Sequence, residues 1–552
     1  MKIKACDAII KCLEEENVEI LFGYPGGAVL PLYESLRKSS IEHVLVRQEQ
    51  SAAHMANGYS KASGNVGVCL ATSGPGATNL ITGIATAYMD SIPLIAITGQ
   101  VSSELIGRDT FQEADISGAS EPFTKHNYLV KDAAELPRIM KEAFYIANTG
   151  RKGPVLIDIP RDIQEEIINF VYPSKVSIRG YKPTYAGNTR QIDKAVKTIN
   201  KAKKPIVCVG GGISSSHAKK ELKQFIEKTK IPVICSLMGI DAFPNDSEYF
   251  SGLLGSHGYP YVNKSIHESD LLIVIGARFA DRSTHMLNKS ELTQNVIHID
   301  IDPAEIGKNV STNIPIVGDA KNILTALLDY EFTLNTDEWL SFLQKKRLAY
   351  RERILQKTEN GDINPRRLVK MISEAMNDNG ILTADVGLNQ IWAAHCFNAT
   401  HDRKYMTSGG LGTMGYSIPA SIGAKFANSQ ADVVAVVGDG GFQMLLGELA
   451  VIAEHDLGIK IIIFNNSQLG MVKELQDNAY GKQSNYGVKI AFNPDFIKLA
   501  DAYGIEGLRI SKESEMENAV KQIFESKKTF LLECMIDPDF PSTPRLGGKL
   551  YE

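Results

Sequence analysis

Residues 433–466 constrain the fold of this chain most, because they have the pattern of one complete βαβ unit. Residues 433–437 form an unbroken apolar run, which is typical of a buried parallel strand. A helical spacing of leucines follows over residues 442–455, and a second apolar run covers residues 459–464. Crossovers of this kind are right-handed and join parallel strands, so the stretch predicts a parallel α/β sheet.

Polar residues follow both predicted strands of this unit. The first strand ends in Gly438-Asp439-Gly440-Gly441, and the second ends in an Asn-Asn pair that includes Asn466. Because carboxyl ends of parallel strands share one sheet edge, we expect Asp439 and Asn466 to lie close together. Their oxygens suit Mg²⁺, and the glycines let a phosphate approach the backbone. Gly-Asp-Gly alone would fit an ordinary tight turn, but its pairing with Asn-Asn favours a magnesium diphosphate site.

Similar alternation of strand and helix patterns extends over the 552 residues, which are too many for one core. We predict an α/β fold of three doubly wound parallel-sheet domains at residues 1–165, 189–330 and 363–540, with a loop-like tail at 541–552. Residues 163–188 read as a linker and 332–362 as a partly helical connection. The clearest strands are predicted at residues 20–22, 66–70, 94–98, 155–159, 205–209, 233–236, 271–275 and 296–301.

Composition excludes several classes of partner. The formal net charge of -5 gives no electrostatic case for binding nucleic acid or a membrane surface. No apolar run of transmembrane length occurs, and the charged N-terminus lacks the apolar segment of a signal peptide. The seven cysteines are scattered without a CxxC motif, which favours buried thiols in a reducing, cytoplasmic setting.

Further motifs in the chain carry a resemblance to a known family. They are the runs 23–27 (GYPGG), 47–50 (RQEQ), 73–79 (SGPGATN), 109–113 (DTFQE), 276–282 (GARFADR), 298–303 (HIDIDP), 408–415 (SGGLGTMG) and 470–472 (GMV). Taken in this order with the Gly-Asp-Gly and Asn-Asn pair, they resemble the catalytic, or large, subunit of acetolactate synthase (acetohydroxyacid synthase), a thiamine diphosphate-dependent enzyme. The resemblance covers nearly the whole chain. It implies pyrimidine-binding, central FAD-type and diphosphate-binding domains.

The resemblance implies a reaction and four catalytic residues. Pyruvate is decarboxylated on thiamine diphosphate, and the two-carbon fragment condenses with a second 2-oxo acid, mainly pyruvate, to give 2-acetolactate and CO₂. Glu49 matches the carboxylate that bonds N1′ of the aminopyrimidine. The Gly27 amide and the Gln112 side chain match the oxyanion donors, and Arg282 matches the arginine for the second carboxylate. Without the resemblance, Glu49 would be interpreted as a helix-capping residue, and Arg282 as one member of a surface ion pair.

The resemblance also implies three cofactors. Mg²⁺ is expected on Asp439, Asn466 and the backbone carbonyl of Gln468. Met414 is expected to buttress the V-shaped coenzyme, although it would also suit core packing. Thiamine diphosphate contacts are expected at Tyr24, Pro25, Gly26, Gly387, Gln390, Gly412, Met414, Gly438, Gly440, Gly441 and Met471. A structural FAD is expected at Arg151, Gly210, Gly211, Gly212, Leu237, Gly255, His257, Arg278, Asp300 and Asp319, where the glycines alone would be a weak dinucleotide signal.

Three positions depart from the family pattern. Leu475 stands where the family commonly has Trp, and leucine cannot supply a flat aromatic wall. We therefore expect weak preference for 2-oxobutanoate over pyruvate and poor sulfonylurea binding. Leu388-Asn389 replaces a Gln-His pair, which alters two donors on the phosphate side.

The resemblance also implies protein partners, and the sequence leaves alternative functions open. In the family the two halves of each site come from different chains, so we expect a homodimer or tetramer, with a regulatory small subunit as a further possible partner. The alternatives are a pyruvate oxidase in which FAD accepts electrons, a pyruvate decarboxylase, and a non-catalytic nucleotide-binding subunit. The last should have lost Glu49 or Asp439, and both are present. The sequence leaves open whether the pathway is biosynthetic or catabolic.

Overall fold

The fold is known from a computed structural model that describes residues 1–284, 294–400, 402–482 and 484–543. Three six-stranded parallel sheets follow one another along the chain, each with helices on both faces. The predicted α/β class with three parallel-sheet domains is therefore confirmed. No helix in the described part of the chain combines the length and the apolar character needed to cross a membrane.

The N-terminal sheet has the order β3-β2-β4-β5-β7-β6. Its strands are β2 (Ile20–Tyr24), β3 (Glu42–Leu45), β4 (Gly67–Ala71), β5 (Leu94–Gln100), β6 (His126–Leu129) and β7 (Pro154–Pro160). Its helices are α1 (Ala5–Glu15), α2 (Leu30–Leu36), α3 (Glu49–Ser63), α4 (Pro75–Asn79), α5 (Ile81–Met89), α6 (Ile116–Ser120), α7 (Leu136–Asn148) and α8 (Arg161–Glu165). The central strands are buried on both faces, which explains their continuous apolar runs.

The central sheet has the order β11-β10-β9-β12-β13-β14. Its strands are β9 (Pro205–Val209), β10 (Val233–Cys235), β11 (Phe250–Leu253), β12 (Leu271–Ile275), β13 (Asn295–Asp300) and β14 (Ile314–Val317). Its helices are α9 (Thr189–Ile199), α10 (Gly212–Ser215), α11 (Lys219–Thr229), α12 (Pro260–Glu268), α13 (Asp281–Thr284) and α14 (Ala320–Leu328), and α15 (Asp337–Ile354) leads to the next sheet. The strand order is that of a dinucleotide-binding fold. In such folds the ligand binds at the carboxyl edge of the sheet, at the point where the strand order reverses.

The C-terminal sheet has the order β16-β15-β17-β18-β20-β19. Its strands are β15 (Ile381–Ala384), β16 (Lys404–Thr407), β17 (Val433–Gly438), β18 (Lys460–Asn465), β19 (Glu506–Ile510) and β20 (Phe530–Met535). Its helices are α16 (Pro365–Ala375), α17 (Leu388–Cys396), α18 (Ser417–Ala427), α19 (Asp439–Met444), α20 (Leu449–Glu454), α21 (Gly470–Tyr480), α22 (Phe496–Ala502) and α23 (Met516–Glu525). Numbered within each sheet, the N- and C-terminal sheets share the order 2-1-3-4-6-5.

Two local predictions are wrong. The linker expected at residues 163–188 begins with part of α8 and contains β8 (Ile167–Asn169), which pairs antiparallel with β1 (Lys2–Lys4) at the start of the chain. The single helix expected at residues 442–455 is instead α19, a 3₁₀ turn and α20. Leu445 leaves helical geometry, at φ -131° and ψ 32°, and this break separates the two helices. Of the expected tail, residues 544–552 lie outside the described chain.

Helices α3 and α18 join the N- and C-terminal sheets by direct backbone contact. A Cβ atom on Gly58 would lie 2.1 Å from the Ala420 carbonyl oxygen, and one on Gly423 would lie 1.9 Å from the Met55 carbonyl oxygen. Only glycine permits this approach, because real Cβ atoms do not come so near to backbone oxygens. The two helices are therefore held together by a glycine on each side.

We predict that Gly423→Ala destabilises the protein by about 1–3 kcal/mol, because the added methyl group forces α3 and α18 apart. Thermal unfolding of the full chain measures the effect. Gly447→Ala is the matched control, since its added Cβ would make only an ordinary 3.6 Å contact with Arg47. Equal unfolding temperatures for the two variants would contradict the assigned role of this contact.

Candidate active site

Asp439 and Asn466 lie at the carboxyl edge of the C-terminal sheet, as the sequence predicts. Asp439 is the first residue of α19 and directly follows β17, while Asn466 directly follows the adjacent strand β18. Asp439 is almost fully buried, and burial raises the pKa of its carboxyl group, although a hydrogen bond from Asn493 opposes the shift. A buried carboxylate beside an amide oxygen is a donor set suited to Mg²⁺.

The turn after β18 is held by its own side chains. The Asn466 Oδ1 accepts a hydrogen bond from the Gln468 amide at 3.3 Å, and Ser467 between them adopts a left-handed conformation at φ 53°. Gln468 also forms a β-bridge with Lys489. These contacts fix the backbone at Gln468, which is the third position predicted to hold a metal.

Asn493 is a site residue that the sequence analysis missed. Its side-chain NH₂ group lies 2.8 Å from the Asp439 carboxylate and 3.2 Å from the Asn465 Oδ1, and its Oδ1 accepts from Gln443 at 2.8 Å. Asn493 therefore ties the strand end that carries Asp439 to the one that carries Asn466. It lies in a loop without periodicity, 54 residues after Asp439, so no local pattern marks it.

Met414 lies over the glycine-rich turn that follows β17. A Cβ on Gly440 would be 3.6 Å from the Met414 methyl group and 3.0 Å from Leu469. Gly412, two residues earlier, is exposed and has φ 76°, in the region that favours glycine. The predicted contacts Gly412, Met414 and Gly440 are therefore brought together in one place, and Gly438 and Gly441 belong to the same turn.

The start of α17 forms the next part of this edge, where the resemblance implies the phosphate contacts Gly387 and Gln390. Gly387 has φ 144°, and a Cβ there would meet the Asn389 Oδ1 at 2.6 Å. The Asn389 NH₂ group donates to the Asp385 carbonyl at 2.7 Å, and the Gln390 NH₂ group donates to Thr407 at 2.6 Å. Both amides are thus engaged within the protein.

Leu388, another departure from the family pattern, fills a space instead of donating a hydrogen bond. A Cβ on Gly470 would lie 2.5 Å from the Leu388 methyl group, so the start of α21 packs directly against this side chain. Leu388 is buried and belongs to the main hydrophobic cluster. Its apolar contact replaces the polar role expected from the family.

The N-terminal sheet presents a second group of predicted residues at its own carboxyl edge. Glu49 is the first residue of α3 and is partly buried; its Oε2 accepts from the Asn79 amide at 2.9 Å. A Cβ on Gly76 would lie 3.4 Å from the Glu49 Oε1, and one on Gly26 would overlap Thr72, which also contacts Gly76. Glu49 therefore lies among the glycine turns that follow β2 and β4.

The other residues predicted at this edge lie in the turn after β2 and beside the turn after β4. Tyr24 ends β2 and is 41% exposed, and Pro25 beside it is also exposed. Gly27 is exposed with open space where a side chain would be, and as the first residue of a 3₁₀ turn it has no partner for its N–H within that turn. Gln112, at φ 58°, packs against Gly74, which follows β4.

Glu448 connects this edge to the C-terminal sheet. Its carboxylate accepts from the Arg47 amide with both oxygens, at 3.0 and 3.2 Å, two residues before Glu49. Burial raises the pKa of Glu448 to about 7, against hydrogen bonding that lowers it. The break at Leu445 precedes this residue and redirects the chain towards Arg47. No local sequence pattern marks Glu448 either.

The two groups remain apart within one chain. The turn that carries Met414 leads to Tyr416, whose hydroxyl bonds Asn57 at 2.9 Å and whose ring contacts His54. Asn57 and His54 are eight and five residues along α3 from Glu49, which correspond to about 12 and 7.5 Å of helix. Among the described residues, no hydrogen bond or ion pair links Glu49 to Met414 or Asp439.

A cavity of about 1330 Å³ extends from the central sheet to the C-terminal site. Gly211 and Gly212 line it where the strand order of the central sheet reverses. It exceeds the common size of a single ligand pocket, so it has room for a dinucleotide beside a further ligand. The other predicted residues that line it are Arg151, Leu237, His257, Arg278, Arg282, Asp300, Asp319, Gln390, Gly412 and Met471. Gly210 and Gly255 pack against backbone at Gly276 and Arg282.

Several cavity residues already have protein partners. Arg151 forms ion pairs with Asp302 at 3.3 Å and Glu305 at 2.8 Å. Asp319 caps α14 by accepting from two backbone amides. Burial, opposed by the Asp302 amide, raises the pKa of Asp300 to about 6. These residues position the cavity wall and leave its glycine turns open.

Arg282 reaches the cavity from α13. Burial, followed by the charge of Arg282, lowers the pKa of the neighbouring His257 to about 4, so this imidazole is neutral near pH 7. Arg282 is exposed, and no ion pair of its guanidinium is found among the described residues. The surface ion pair considered from sequence is thus not seen there.

Three protein-family models match the three sheets in turn. The N-terminal TPP-binding domain of thiamine pyrophosphate enzymes matches residues 3–119, the central domain matches residues 192–327, and the C-terminal TPP-binding domain matches residues 385–534. The chain is therefore a thiamine pyrophosphate-dependent enzyme with the N-terminal, central and C-terminal domains of that class.

Curated relatives narrow the assignment. A probable acetolactate synthase large subunit of Methanocaldococcus jannaschii is 46% identical, covering 99% of this chain and 94% of the relative. The Haemophilus influenzae large subunit is 43% identical over 100% of this chain and 98% of its own, and the Escherichia coli isozyme 3 large subunit is 41% identical over 99% and 97%. The chain belongs to the family of acetolactate synthase large subunits.

We predict that Asn493→Ala raises the Mg²⁺ concentration needed for thiamine diphosphate binding about 10–100-fold. The substitution removes the side-chain amide that orients Asp439, and this lowers the affinity for Mg²⁺. Titration of thiamine diphosphate binding against Mg²⁺ measures the loss. Asn485→Ala is the control, since Asn485 bonds Asp477 at 2.8 Å in the same region but does not contact Asp439. An unchanged Mg²⁺ titration in Asn493→Ala would show that Asn493 does not support the metal.

Proposed function

We propose that the chain catalyses acetolactate synthesis: pyruvate is decarboxylated on thiamine diphosphate, and the two-carbon fragment is joined to a second 2-oxo acid, mainly pyruvate, giving 2-acetolactate and CO₂. The observation that carries the proposal is the position of Met414 over the Gly438–Gly441 turn, beside Asp439. An apolar buttress, a metal donor set and open glycines at one sheet edge fit a folded diphosphate coenzyme.

Glu49 is the proposed proton-transfer residue. Bound thiamine diphosphate supplies the electron sink for decarboxylation. Glu49 holds and returns the proton at N1′ of the aminopyrimidine, a task that suits a partly buried carboxyl group. Asn79 holds one carboxylate oxygen of Glu49, and the other, Oε1, faces Gly76.

Three groups are proposed to bind the substrates. The Gly27 amide and the Gln112 side chain donate to the oxygens on which negative charge develops. Glu113 supports Gln112, because its carboxylate accepts from the Gly107 and Thr110 amides and closes the preceding loop. The Arg282 guanidinium binds the carboxylate of the second 2-oxo acid, for which its fork geometry is suited.

The further cofactors are part of the proposal. Mg²⁺ would be held by Asp439, Asn466 and the Gln468 carbonyl. FAD would occupy the central cavity with a structural role, since the overall reaction moves no net electrons; the cavity volume and the glycines at the strand-order reversal support it. All seven cysteines are free thiols, which supports a cytoplasmic location. Because the relatives are named large subunits, a regulatory small subunit is a proposed partner.

We predict that the purified protein forms 2-acetolactate from pyruvate only with thiamine diphosphate and Mg²⁺, and that Glu49→Gln lowers turnover by about 10²–10⁴-fold. Product identification by chromatography measures both results. Glu42→Gln, an exposed position on β3, is the control. Acetaldehyde as the main product would favour a decarboxylase, and oxygen uptake with flavin reduction would favour a pyruvate oxidase.

We further propose that each active site lies between two chains, because Glu49 and Met414 stay apart in one. Mixing inactive Glu49→Gln and Asp439→Asn chains under conditions of subunit exchange should restore about a quarter of wild-type activity, since half of the dimers then contain one intact site. Activity after mixing is compared with that of each variant alone. Sites complete within one chain predict no recovery.

Leu475 is proposed to set substrate preference. It is 50% exposed on α21, the helix that begins beside Leu388. We predict that Leu475→Trp raises the preference for 2-oxobutanoate over pyruvate roughly 10-fold by adding a flat wall. A competition assay with both acids measures the product ratio, with Ala479→Trp on the same helix as control. An unchanged ratio, or an equal change in the control, would remove Leu475 from the specificity site.

A further inference from the structure

Asp385 is a buried carboxylate at the centre of the C-terminal sheet edge. It directly follows β15 and is completely shielded from solvent. Its oxygens accept from the Val386 amide at 2.8 Å, from the Gly415 amide at 3.0 Å and from the Ser417 amide at 3.1 Å. All three partners are backbone donors, and two of them belong to the turn that carries Met414.

Asp385 also lies against the turn that follows β17. A Cβ on Gly441 would lie 3.0 Å from the Asp385 Oδ1. The carboxylate therefore contacts the two segments between which Met414 and Gly440 meet. Strands β15 and β17 are neighbours at the point where the strand order reverses, which explains why one side chain reaches both segments.

We propose that Asp385 is a positioning residue, which holds the Met414 turn in register with the Gly438–Gly441 turn and thereby fixes the shape of the coenzyme pocket. This proposal rests on the proposed function for the meaning of that pocket. Asp385 itself does not touch the reacting atoms, because its oxygens are occupied by backbone donors and it is covered on all sides.

The chemistry of the contact requires a carboxylate. A buried Asp is costly unless hydrogen bonds satisfy it, and burial raises the pKa of Asp385 to about 7 even though these backbone amides oppose the shift. An Asn of the same shape offers one oxygen instead of two and turns an NH₂ group towards a backbone N–H. The turn has left-handed glycines at positions 412 and 415, so its conformation depends on such anchoring.

The test is Asp385→Asn in the purified full-length protein, read by amide hydrogen exchange without any coenzyme. Peptides that cover residues 412–417 should exchange about 10–100-fold faster, as expected for loss of charge-assisted hydrogen bonds. Thiamine diphosphate affinity and turnover should fall, while the KM for pyruvate changes little. Asp158→Asn is the matched control, because Asp158 is equally buried and bonds Thr98 at 2.7 Å in the N-terminal sheet.

Two outcomes overturn the proposal: unchanged exchange of residues 412–417 in Asp385→Asn, or an equal acceleration in Asp158→Asn. If Asp385→Asn does not fold, Gly441→Ala provides the second variant, because its methyl group presses on the Asp385 Oδ1. It should accelerate exchange of the same peptides, and unchanged exchange there would likewise overturn the assignment. If the wild-type protein forms no acetolactate, the proposed function fails, but exchange in the coenzyme-free protein still decides the role of Asp385.

Discussion

The close contact between α3 and α18 is the interaction on which the rest of the structure depends. Gly58 and Gly423 allow the two helices to approach backbone to backbone, so that the N- and C-terminal sheets form one body. Lys61, on the last turn of α3, adds a buried ion pair with Asp90 and donates to the Thr407 carbonyl at 2.8 Å. Because α3 begins with Glu49 and α18 follows the Met414 turn, this packing fixes where both halves of the proposed chemistry lie.

Much of the fold was predictable because its central strands are buried on both faces. Strands such as β4, β9, β12 and β17 read as continuous apolar runs, and the glycine motifs mark the turns where they end. The edge strands β6 and β19 are half exposed and carry polar residues, so a single sequence does not separate them from loops. Strand β1 pairs with β8 more than 160 residues away, as in Lys2 opposite Asn169, and such pairing has no local signal.

The residues of the candidate site also fall into a group that the sequence predicted and a group that it did not. Asp439 and Asn466 were predictable because each directly follows an apolar strand, so chain topology alone brings them together. Asn493, Asp385 and Glu448 were missed because each acts on a segment distant in sequence: the partners are 54, 30 and 401 residues away. The hydrogen-bond partner of a carboxylate or amide in a loop cannot be predicted from the sequence until the fold is known. The local break at Leu445 has the same origin, since the contact of Glu448 with Arg47 is a tertiary one.

The packing of α3 on α18 also supports the proposal that each active site takes residues from two chains. It places Glu49 of each chain two turns of α3 before Asn57, which bonds Tyr416 after the Met414 turn, so a closed site would take Glu49 from another copy. Asp439 and Glu448 then serve different sites, although α19 and the turn after it connect them directly. Asp439 would hold the metal in one site, while Glu448 fixes the backbone before the Glu49 that enters the other. In that proposed dimer the segment between them would connect the diphosphate end of one site to the backbone before the proton-transfer residue of the next, and the break at Leu445 turns the chain towards Arg47.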